Sequence, residues 1–399
     1  SRILPWDSGP GRRNLNHERM IKIVADNKIP FLEGALDGVA RMVYLPGAEI
    51  SREHLLEADA LITRTRTLCN RNLLEGTSVR FIASATIGYD HIDSEYCRSK
   101  GIGWTNAPGC NSSSVEQYVV STLLWLAVNY RLDLRSRTLG VIGVGNVGTK
   151  VARAARTLGM TVLLNDPPRE RAEGSDKFTS LDQLKEQSDI ISLHVPLNRG
   201  GEDNTFHLFD TGFIKSLKSG AILINTSRGA VVDEAAALEG IRNGRLGHVI
   251  LDVFENEPVL NRDLLEALTL ATPHIAGYSL DGKANGTSMS VRAISRFFDL
   301  GLDQWSPEGI PAPDNSEILT DASDGDLSEL LWEVFSQSYD VSSDDKRLRS
   351  AADSFENLRG NYPFRREPAA YAVRLFQGYP EIRDILEKLG FDVLSDQCM

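Results

Sequence analysis

Three side chains with the chemistry of acid–base catalysis stand just past the ends of three short apolar, strand-like runs. Arg228, Glu257 and His274 follow the runs at residues 221–225, 248–252 and 268–272. An imidazole can accept a proton near neutral pH, a carboxylate can orient it, and a guanidinium can hold an acidic substrate. Because the carboxyl ends of parallel strands meet at one edge of a sheet, we expect these groups to converge. A lone histidine is more often structural, and the equivalent positions of the other two residues are what favour catalysis here.

A glycine-rich turn follows another apolar run and predicts a dinucleotide site. Its spacing is Gly143-x-Gly145-x-x-Gly148, and a helical pattern begins inside it. Gly143 allows a tight turn, Gly145 lets the backbone approach a pyrophosphate, and Gly148 allows the helix to pack closely on the strand. The first helical N–H groups then face the phosphates, so Asn146 and Val147 are further candidate cofactor contacts.

A carboxylate after the next strand indicates which dinucleotide binds. Residues 160–164 form the predicted second strand, and Asp166 follows it. A carboxylate in this place can bond the ribose 2′-hydroxyl and repels a 2′-phosphate, so NAD is the predicted cofactor. Arg169 lies close enough in sequence to keep NADP open as an alternative, and a purely structural glycine turn is the other alternative.

Strand-like runs alternate with helical patterns on both sides of the glycine turn. Those before it lie at residues 21–25, 41–44, 60–63 and 81–83, and those after the second strand at residues 190–194, 221–225, 248–252 and 268–272. The alternation predicts parallel sheets flanked by helices. With the two strands around the turn, the later set makes the six strands of a complete dinucleotide-binding sheet. The earlier set has no glycine fingerprint and could hold a substrate instead.

Two polar loops follow strands of the earlier set, where ligands of open α/β sheets bind. The first contains Arg64, Thr65 and Arg66, and the second begins at Thr86. The two arginines could hold a carboxylate or a phosphate. The alternative is a pair of solvated loop arginines, and the spacing alone favours neither.

The composition indicates an ordinary globular protein. The chain has 399 residues and a net charge of −12, which argues against sequence-independent nucleic-acid binding. No apolar run approaches the roughly 18 residues that span a bilayer. The four cysteines lack metal-ligand spacing, so we expect no metal site and the reduced thiols of a cytoplasmic protein. Residues 1–19 have no signal-peptide core and are predicted to be a tag or disordered leader before a native start at Met20.

Four motifs in register resemble the D-isomer-specific 2-hydroxyacid dehydrogenase family. They are the glycine turn, Asn-Thr-Ser-Arg-Gly at 225–229, Asp-Val-Phe-Glu-Asn-Glu-Pro at 252–258 and Pro-His-Ile-Ala-Gly at 273–277. Their order and separations match the arginine, glutamate and histidine of that family. The stretches at residues 165–169, 274–284 and 361–366 are similar to a branch of the family that acts on a phosphorylated hydroxy acid.

This resemblance implies an enzyme that oxidises a phosphorylated 2-hydroxy acid with NAD. His274 would accept the proton of the C2 hydroxyl, Glu257 would orient the imidazole, and Arg228 would hold the substrate carboxylate. Further substrate contacts are implied at Thr65, Thr86 and Tyr278, and further cofactor contacts at Val195 (through its backbone), Asp252 and Gly277. Position 65 is Thr where the family branch leads us to expect Ser. With a phosphate on the substrate, Arg64 and Arg66 become candidate phosphate ligands.

The resemblance also implies a three-domain α/β architecture. A flavodoxin-like substrate domain would take residues 20–113 and 276–303, and a Rossmann NAD domain residues 114–275. Both are doubly wound parallel sheets. Residues 304–399 would form a small α+β domain that joins two copies into a homodimer, with an effector-binding regulatory domain as the rival. The alternatives for function are another 2-hydroxy acid such as 3-phosphoglycerate, or a non-enzymatic NAD-sensing corepressor on the same fold.

Overall fold

The computed structural model describes residues 20–321, 326–376 and 380–394. The predicted leader, residues 1–19, lies outside the described residues. The chain divides into two compact units. Unit 1 contains residues 20–106 with Ser290–Trp305, and unit 2 contains Ala107–Met289 with the described residues from Ser306 onward. The predicted domain limits remain predictions.

Unit 1 is built on a five-stranded parallel sheet. Its strands are β1 (Ile21–Asp26), β2 (Ala40–Leu45), β3 (Ala60–Thr63), β4 (Phe81–Ser84) and β5 (Gly103–Thr105), and its first helices are α1 (Arg52–Leu55), α2 (Arg71–Leu74) and α3 (Ser94–Lys100). The order β2-β1-β3-β4-β5 is that of a flavodoxin-like sheet, as predicted. Residues 23–25 are fully buried, as the continuous apolar run of a strand covered on both faces requires.

Unit 2 contains the predicted six-stranded sheet. Its strands are β6 (Thr138–Ile142), β7 (Thr161–Asn165), β8 (Ile190–Leu193), β9 (Ala221–Asn225), β10 (Leu246–Leu251) and β11 (Leu270–Ala271). Its helices are α4 (Ser112–Tyr130), α5 (Asn146–Thr157), α6 (Pro167–Glu173), α7 (Leu181–Gln187), α8 (Thr211–Ser216), α9 (Glu234–Arg242) and α10 (Arg262–Ala267). The order β11-β10-β9-β8-β6-β7, parallel throughout, is the doubly wound dinucleotide-binding arrangement.

Helix α4 begins earlier than its sequence pattern predicts. Two overlapping capping boxes starting at Ser113 and Ser114 would place the start near Val115, whereas the helix starts at Ser112 after Asn111. The serine hydroxyls serve other partners, because Ser113 accepts a hydrogen bond from Lys150 at 2.6 Å and Ser114 is engaged with the loop and tail described below. Most of the helix is buried around its circumference, as its apolar composition predicts.

The last part of unit 2 carries a small parallel sheet and four helices. Helix α11 (Leu280–Phe298) runs from unit 2 into unit 1, and it is followed by β12 (Glu317–Asp321), α12 (Leu327–Ser338), α13 (Val341–Ser350), α14 (Phe355–Gly360), β13 (Ala372–Phe376), α15 (Pro380–Lys388) and β14 (Asp392–Leu394). Side chains of α12, including Val334 and Phe335, share one buried cluster with α4. The small domain therefore has a common core with the NAD sheet. Within the described ranges, no helix is long and apolar enough to cross a membrane.

Candidate active site

His274 lies just past β11 and has an uncommon backbone conformation. Its φ is 57°, in the left-handed region that residues other than glycine seldom adopt. The imidazole Nδ1 lies 2.7 Å from a carboxylate oxygen of Glu257. With Nδ1 donating to that carboxylate, Nε2 is the ring atom available to a substrate, and among the described residues it has no hydrogen-bond partner.

Glu257 is placed to orient the imidazole. Its second oxygen accepts the backbone N–H of Phe254 at 2.9 Å, so both carboxylate oxygens are engaged. Burial alone would raise the pKa of Glu257. The hydrogen bond and charge of His274, the Phe254 N–H and the charge of Arg359 outweigh it and hold that pKa below its ordinary value. The carboxylate therefore stays ionised and can stabilise a protonated imidazole.

Asp252, an expected cofactor contact, is 1% exposed at the end of β10. Its carboxylate accepts the Thr272 hydroxyl at 2.7 Å and the N–H groups of Ile275 and Ala276 at 2.8 and 2.9 Å. Burial raises its pKa, although the nearby His274 and these hydrogen bonds act in the opposite direction. The geometry gives Asp252 a role in holding the loop that carries His274, while its contact with a cofactor stays a prediction.

Arg228 follows β9 and brings the third predicted catalytic group into unit 2. Among the described residues, its guanidinium makes one hydrogen bond, at 2.8 Å to the carbonyl of Ser227, which leaves several donors for a substrate carboxylate. The next residue must be glycine, because a Cβ on Gly229 would lie 1.9 Å from the carbonyl oxygen of Phe254. The loops after β9 and β10 are therefore in direct backbone contact.

The glycine turn has the geometry that a dinucleotide needs. Gly143 has φ 87°, and a Cβ there would lie 2.4 Å from the carbonyl oxygen of His194. A Cβ on Gly148 would lie 1.9 Å from the Gly143 carbonyl oxygen, so only glycine allows α5 to pack this closely. Gly145, the exposed residue before α5, has open space where a Cβ would point within the described part of the chain. The exposed Asn146 and half-buried Val147 begin the helix.

Asp166, the expected ribose contact of the dinucleotide site, follows β7 and caps the N-terminus of α6. One carboxylate oxygen accepts the N–H of Val144 at 2.7 Å, and the other accepts the N–H of Arg169 at 3.1 Å. The guanidinium of Arg169 is itself engaged, with two hydrogen bonds to Glu173 at 2.7 and 2.9 Å and one to the Val144 carbonyl. Since this arginine is already paired, the structure favours NAD over a cofactor with a 2′-phosphate.

The two remaining expected cofactor contacts lie at neighbouring loop positions of unit 2. Val195 follows β8 beyond His194, and its side chain packs near Gly143. Gly277 follows His274 in the loop, where a Cβ would lie 2.1 Å from the side-chain nitrogen of Asn111. Both residues are partly exposed. Their contacts with a cofactor remain predictions.

The expected substrate residues of unit 1 follow β3 and β4. Arg64 forms a bidentate ion pair with the fully buried Asp26, with N–O distances of 2.9 and 3.3 Å. Thr65 and Arg66 occupy an exposed turn. The Thr86 hydroxyl donates to the carbonyl of Gly88 at 3.0 Å. Arg64 thus has a structural partner that its sequence context did not reveal, and the substrate roles of these residues remain predictions.

Sequence reasoning missed Arg359, a residue of unit 2 whose charge acts on Glu257 of the catalytic pair. Arg359 lies over the ring of Tyr278, a half-buried residue of the loop that carries His274. The Tyr362 ring meets the Tyr278 ring edge-on at 6.0 Å, and the guanidinium of Arg359 and the ammonium of Lys283 lie 5.6 and 5.1 Å from its centroid. Arg359 belongs to no motif and is far from His274 in sequence, so no local signal points to it.

Comparison with known proteins covers both parts of unit 2. A family model for the NAD binding domain of the D-isomer specific 2-hydroxyacid dehydrogenases matches residues 116–276. A second model, a domain of unknown function (DUF3410), matches residues 310–390. The small C-terminal domain is therefore shared with other proteins.

Individual relatives extend the likeness to about nine-tenths of the chain. The erythronate-4-phosphate dehydrogenase of Bacteroides thetaiotaomicron is 50% identical over 357 residues, which cover 88% of this chain and 99% of the relative. The enzyme of the same name from Pseudomonas putida is 41% identical, with 92% of this chain and 98% of the relative covered. The crystal structure of D-lactate dehydrogenase from Aquifex aeolicus, complexed with NAD and lactic acid, has 28% identity and a TM-score of 0.59, covering 71% of this chain and 97% of its own.

Proposed function

Because the chain belongs to the erythronate-4-phosphate dehydrogenases, within the D-isomer-specific 2-hydroxyacid dehydrogenase family, we propose that it oxidises 4-phospho-D-erythronate with NAD. The product is 2-oxo-3-hydroxy-4-phosphobutanoate, and the reaction is a step toward pyridoxal 5′-phosphate, vitamin B6. The observation that carries the proposal is the 2.7 Å contact between His274 and Glu257, with Nε2 left for a substrate. This is the arrangement that removal of a hydroxyl proton requires.

The proposed mechanism assigns the proton to the imidazole. Nε2 of His274 accepts the proton of the C2 hydroxyl, while Nδ1 keeps its hydrogen bond to Glu257. NAD, when bound at the glycine turn, would supply the hydride acceptor. The ionised Glu257 stabilises the imidazolium that results, and Arg228 anchors the substrate carboxylate through its planar fork. Acid–base assistance of this kind typically contributes about 10²–10⁴ in rate.

NAD is the cofactor of this family's nucleotide domain, and the residues of the turn fit it. Gly143, Gly145 and Gly148 give the backbone room for a pyrophosphate. Asp166 keeps lone pairs for a ribose hydroxyl, because each of its oxygens accepts one backbone hydrogen bond. Asn146, Val147, Val195, Asp252 and Gly277 are proposed as the remaining cofactor contacts.

The substrate is a small phosphorylated 2-hydroxy acid, and its further contacts are assigned by family resemblance. We assign Thr65, Thr86 and Tyr278 to hydrogen bonds with the substrate, and Arg64 and Arg66 to its phosphate. The protein has a net charge of −12, so a doubly charged group needs local cations. These roles rest on residue chemistry and on the match to the family motif.

Homodimerisation through the C-terminal domain and a cytoplasmic location are also proposed. Leu319, Phe364 and Phe376 are between 46% and 54% exposed, and burying these large apolar side chains against a second copy would stabilise both. Cys69, Cys97 and Cys110 are buried free thiols, as the reducing cytoplasm allows. Sedimentation of the wild type and a Leu319→Asp variant tests the dimer: a variant that remains dimeric at micromolar concentration argues against this interface.

A substrate panel tests the proposed function. NADH formation is followed by absorbance with 4-phospho-D-erythronate, 3-phosphoglycerate and D-lactate. We expect kcat/KM for the first to exceed the others by at least tenfold, since the relatives that match nearly their full length are named for it. A preference for either other substrate indicates a different hydroxyacid dehydrogenase. NADH binding without turnover of any substrate indicates the NAD-sensing alternative.

A further inference from the structure

We propose that Arg359 of the C-terminal domain, assisted by Lys283, binds the phosphate group of the substrate beside Tyr278. The inference rests on the proposed function and deepens it, because it assigns a recognition role to a domain of unknown function. The phosphate ligand that it adds lies in unit 2, as do His274 and Tyr278.

The first observation is the position of the two cations. The Arg359 guanidinium carbon lies 5.6 Å from the Tyr278 ring centroid, and the Lys283 ammonium lies 5.1 Å from it. Tyr278 is four residues past His274 in the same loop. A phosphate ester carries close to two negative charges at neutral pH and is bound most strongly by several cationic donors. Arg359 and Lys283 around one tyrosine ring provide such donors.

The second observation is that Arg359 lacks an acceptor. Within the described ranges it forms neither a hydrogen bond nor an ion pair, and its Nε is buried without a partner. Three other arginines of this part of the chain are paired with carboxylates, as Arg347, Arg349 and Arg366 show with distances of 3.0, 2.9 and 2.9 Å. A buried donor left unsatisfied costs about 1–3 kcal/mol. Since Nε has no exposed surface, an anionic ligand would bind the terminal nitrogens of the guanidinium.

The third observation is the electrostatic proximity of Arg359 to the catalytic pair. Burial opposes ionisation of Glu257, and the charge of Arg359 is among the influences that nevertheless keep the pKa of that carboxyl low. Arg359 is therefore near enough for its field to act on the carboxylate that orients His274.

The segment that follows Arg359 is joined to the loop that carries His274. Arg365 is 5% exposed and donates to the carbonyls of Ala276 and Ser114 at 2.7 and 3.0 Å. The Ser279 and Ser114 hydroxyls both donate to Glu367, at 2.9 and 2.8 Å. These contacts join the C-terminal segment to the loop that carries His274 and Tyr278, so a ligand at Arg359 and the catalytic loop share one framework.

Among the proteins compared above, those named for a phosphorylated substrate cover more of this chain than the D-lactate dehydrogenase does. The erythronate-4-phosphate dehydrogenases are matched over 98–99% of their length and cover at least 88% of this chain. The D-lactate dehydrogenase is matched over 97% of its length but covers only 71% of this chain. Its structure holds lactic acid, which has no phosphate. The enzymes named for a phosphorylated substrate are thus the ones that match nearly the whole chain.

The test compares Arg359→Gln, Arg359→Lys and the wild type with 4-phospho-D-erythronate and D-erythronate. It also titrates each protein calorimetrically with inorganic phosphate. The glutamine variant should raise KM for the phosphorylated substrate 10- to 100-fold and weaken phosphate binding about tenfold, because a charge-assisted hydrogen bond to phosphate is lost. Its kcat should fall by a smaller factor than KM rises, because the charge of Arg359 also acts on Glu257. The lysine variant should retain part of the affinity.

Arg347→Gln is the matched control, since Arg347 also lies over a tyrosine ring of this domain, 5.5 Å from the centroid of Tyr362. We expect its KM and phosphate affinity to remain within about twofold of the wild type. The proposal is overturned if both Arg359 variants keep wild-type KM and phosphate affinity. The proposal is also overturned if Arg359→Gln raises KM equally for the two substrates. That result would mean that Arg359 only supports Tyr278 structurally. If the wild type does not oxidise 4-phospho-D-erythronate, the proposed function fails, and the phosphate titration still decides the role of Arg359.

Discussion

Asp252 holds His274 from two directions. Its backbone carbonyl accepts the N–H of His274 at 2.8 Å, and its buried carboxylate accepts the N–H groups of the next two residues. His274 has a left-handed backbone, which the surrounding structure must stabilise. The end of β10 therefore orients the imidazole that follows β11.

Asp252→Asn should reduce both stability and turnover. The amide oxygen can replace one carboxylate oxygen, but its NH₂ group then faces a backbone N–H or the Thr272 hydroxyl. We expect a loss of about 1–3 kcal/mol in the free energy of unfolding and at least a tenfold lower kcat. Urea denaturation and steady-state kinetics measure the two effects.

Thr272→Val is the control for this prediction, because it leaves the backbone donors to the same carboxylate. It removes the hydroxyl that donates to Asp252 and that lies 2.8 Å from the buried Tyr118 hydroxyl. The NAD dissociation constant separates two roles of Asp252. If it rises tenfold in Asp252→Asn, the residue also contacts the cofactor. Wild-type kcat in Asp252→Asn would contradict the positioning role.

Arg64 and Arg66 should differ in their effect on folding. Arg64→Ala leaves the fully buried Asp26 without its ion-pair partner, and we expect a loss of roughly 3 kcal/mol in unfolding free energy. Arg66 is exposed, so Arg66→Ala should change stability by less than about 0.5 kcal/mol while raising KM for the phosphorylated substrate. Chemical denaturation and kinetics of both variants provide the comparison.

Asp26→Asn in the Arg64→Ala background separates structure from recognition. The double variant should recover much of the lost stability, because no unpaired buried charge remains. If its KM also returns to the wild-type value, Arg64 has no phosphate role. If wild type and Arg64→Ala have equal free energies of unfolding, the ion pair with Asp26 does not stabilise the fold.

Asp166 should determine the choice of cofactor through its charge. Asp166→Ala removes the charge and the cap of α6, whereas Asp166→Ser retains a capping hydroxyl. Both variants should bind NAD more weakly. Their ratio of NAD affinity to NADP affinity should fall about tenfold or more, because the repulsion of a 2′-phosphate is gone. The alanine variant alone should lose about 1 kcal/mol of stability. An unchanged cofactor ratio in both variants refutes the assignment.

His194 should make the protein less stable in acid. Enclosure by protein lowers the pKa of His194 to about 3, and the Ser192 hydroxyl lies 2.8 Å from its Nε2. The folded state keeps the ring neutral, while the unfolded chain protonates it below its ordinary pKa of 6.5. The stabilising contribution is thus complete above pH 6.5 and is lost as the pH falls toward 3.

A His194→Gln variant isolates this contribution. Between pH 6 and 4, the wild type should lose up to about 1.4 kcal/mol per pH unit more than the variant. His91 and His248 also have lowered pKa values from burial, but both proteins retain them. Parallel pH profiles of unfolding free energy in the two proteins would exclude a His194 that stays neutral in the folded state.

The strand ends were the most informative part of the sequence. Apolar runs located the six strands of the NAD sheet, and the residues after them include the His274–Glu257 pair. The strand β5 was missed because Gly103-Trp-Thr is too short for any apolar periodicity. The two serines at the start of α4 were misread as caps because their hydrogen-bond partners lie elsewhere in the chain.

Long-range partners account for what could not be predicted. Asp26 and Arg64 are 38 residues apart, and nothing local marks them as a buried pair. Arg359 reaches Tyr278 only because the C-terminal domain packs on the NAD sheet and its tail binds the catalytic loop. Periodicity and motifs report local structure, whereas such pairs depend on how the finished fold brings segments together.

The most direct test of the central claim is a single-turnover measurement on wild type and His274→Gln. NADH formation from 4-phospho-D-erythronate is recorded with enzyme in excess, and NADH affinity is measured in parallel by fluorescence. We predict a rate about 10²–10⁴ times lower in the variant, with NADH affinity within twofold, because the variant loses the proton acceptor and keeps the glycine turn. A variant that forms NADH at close to the wild-type rate would contradict the account.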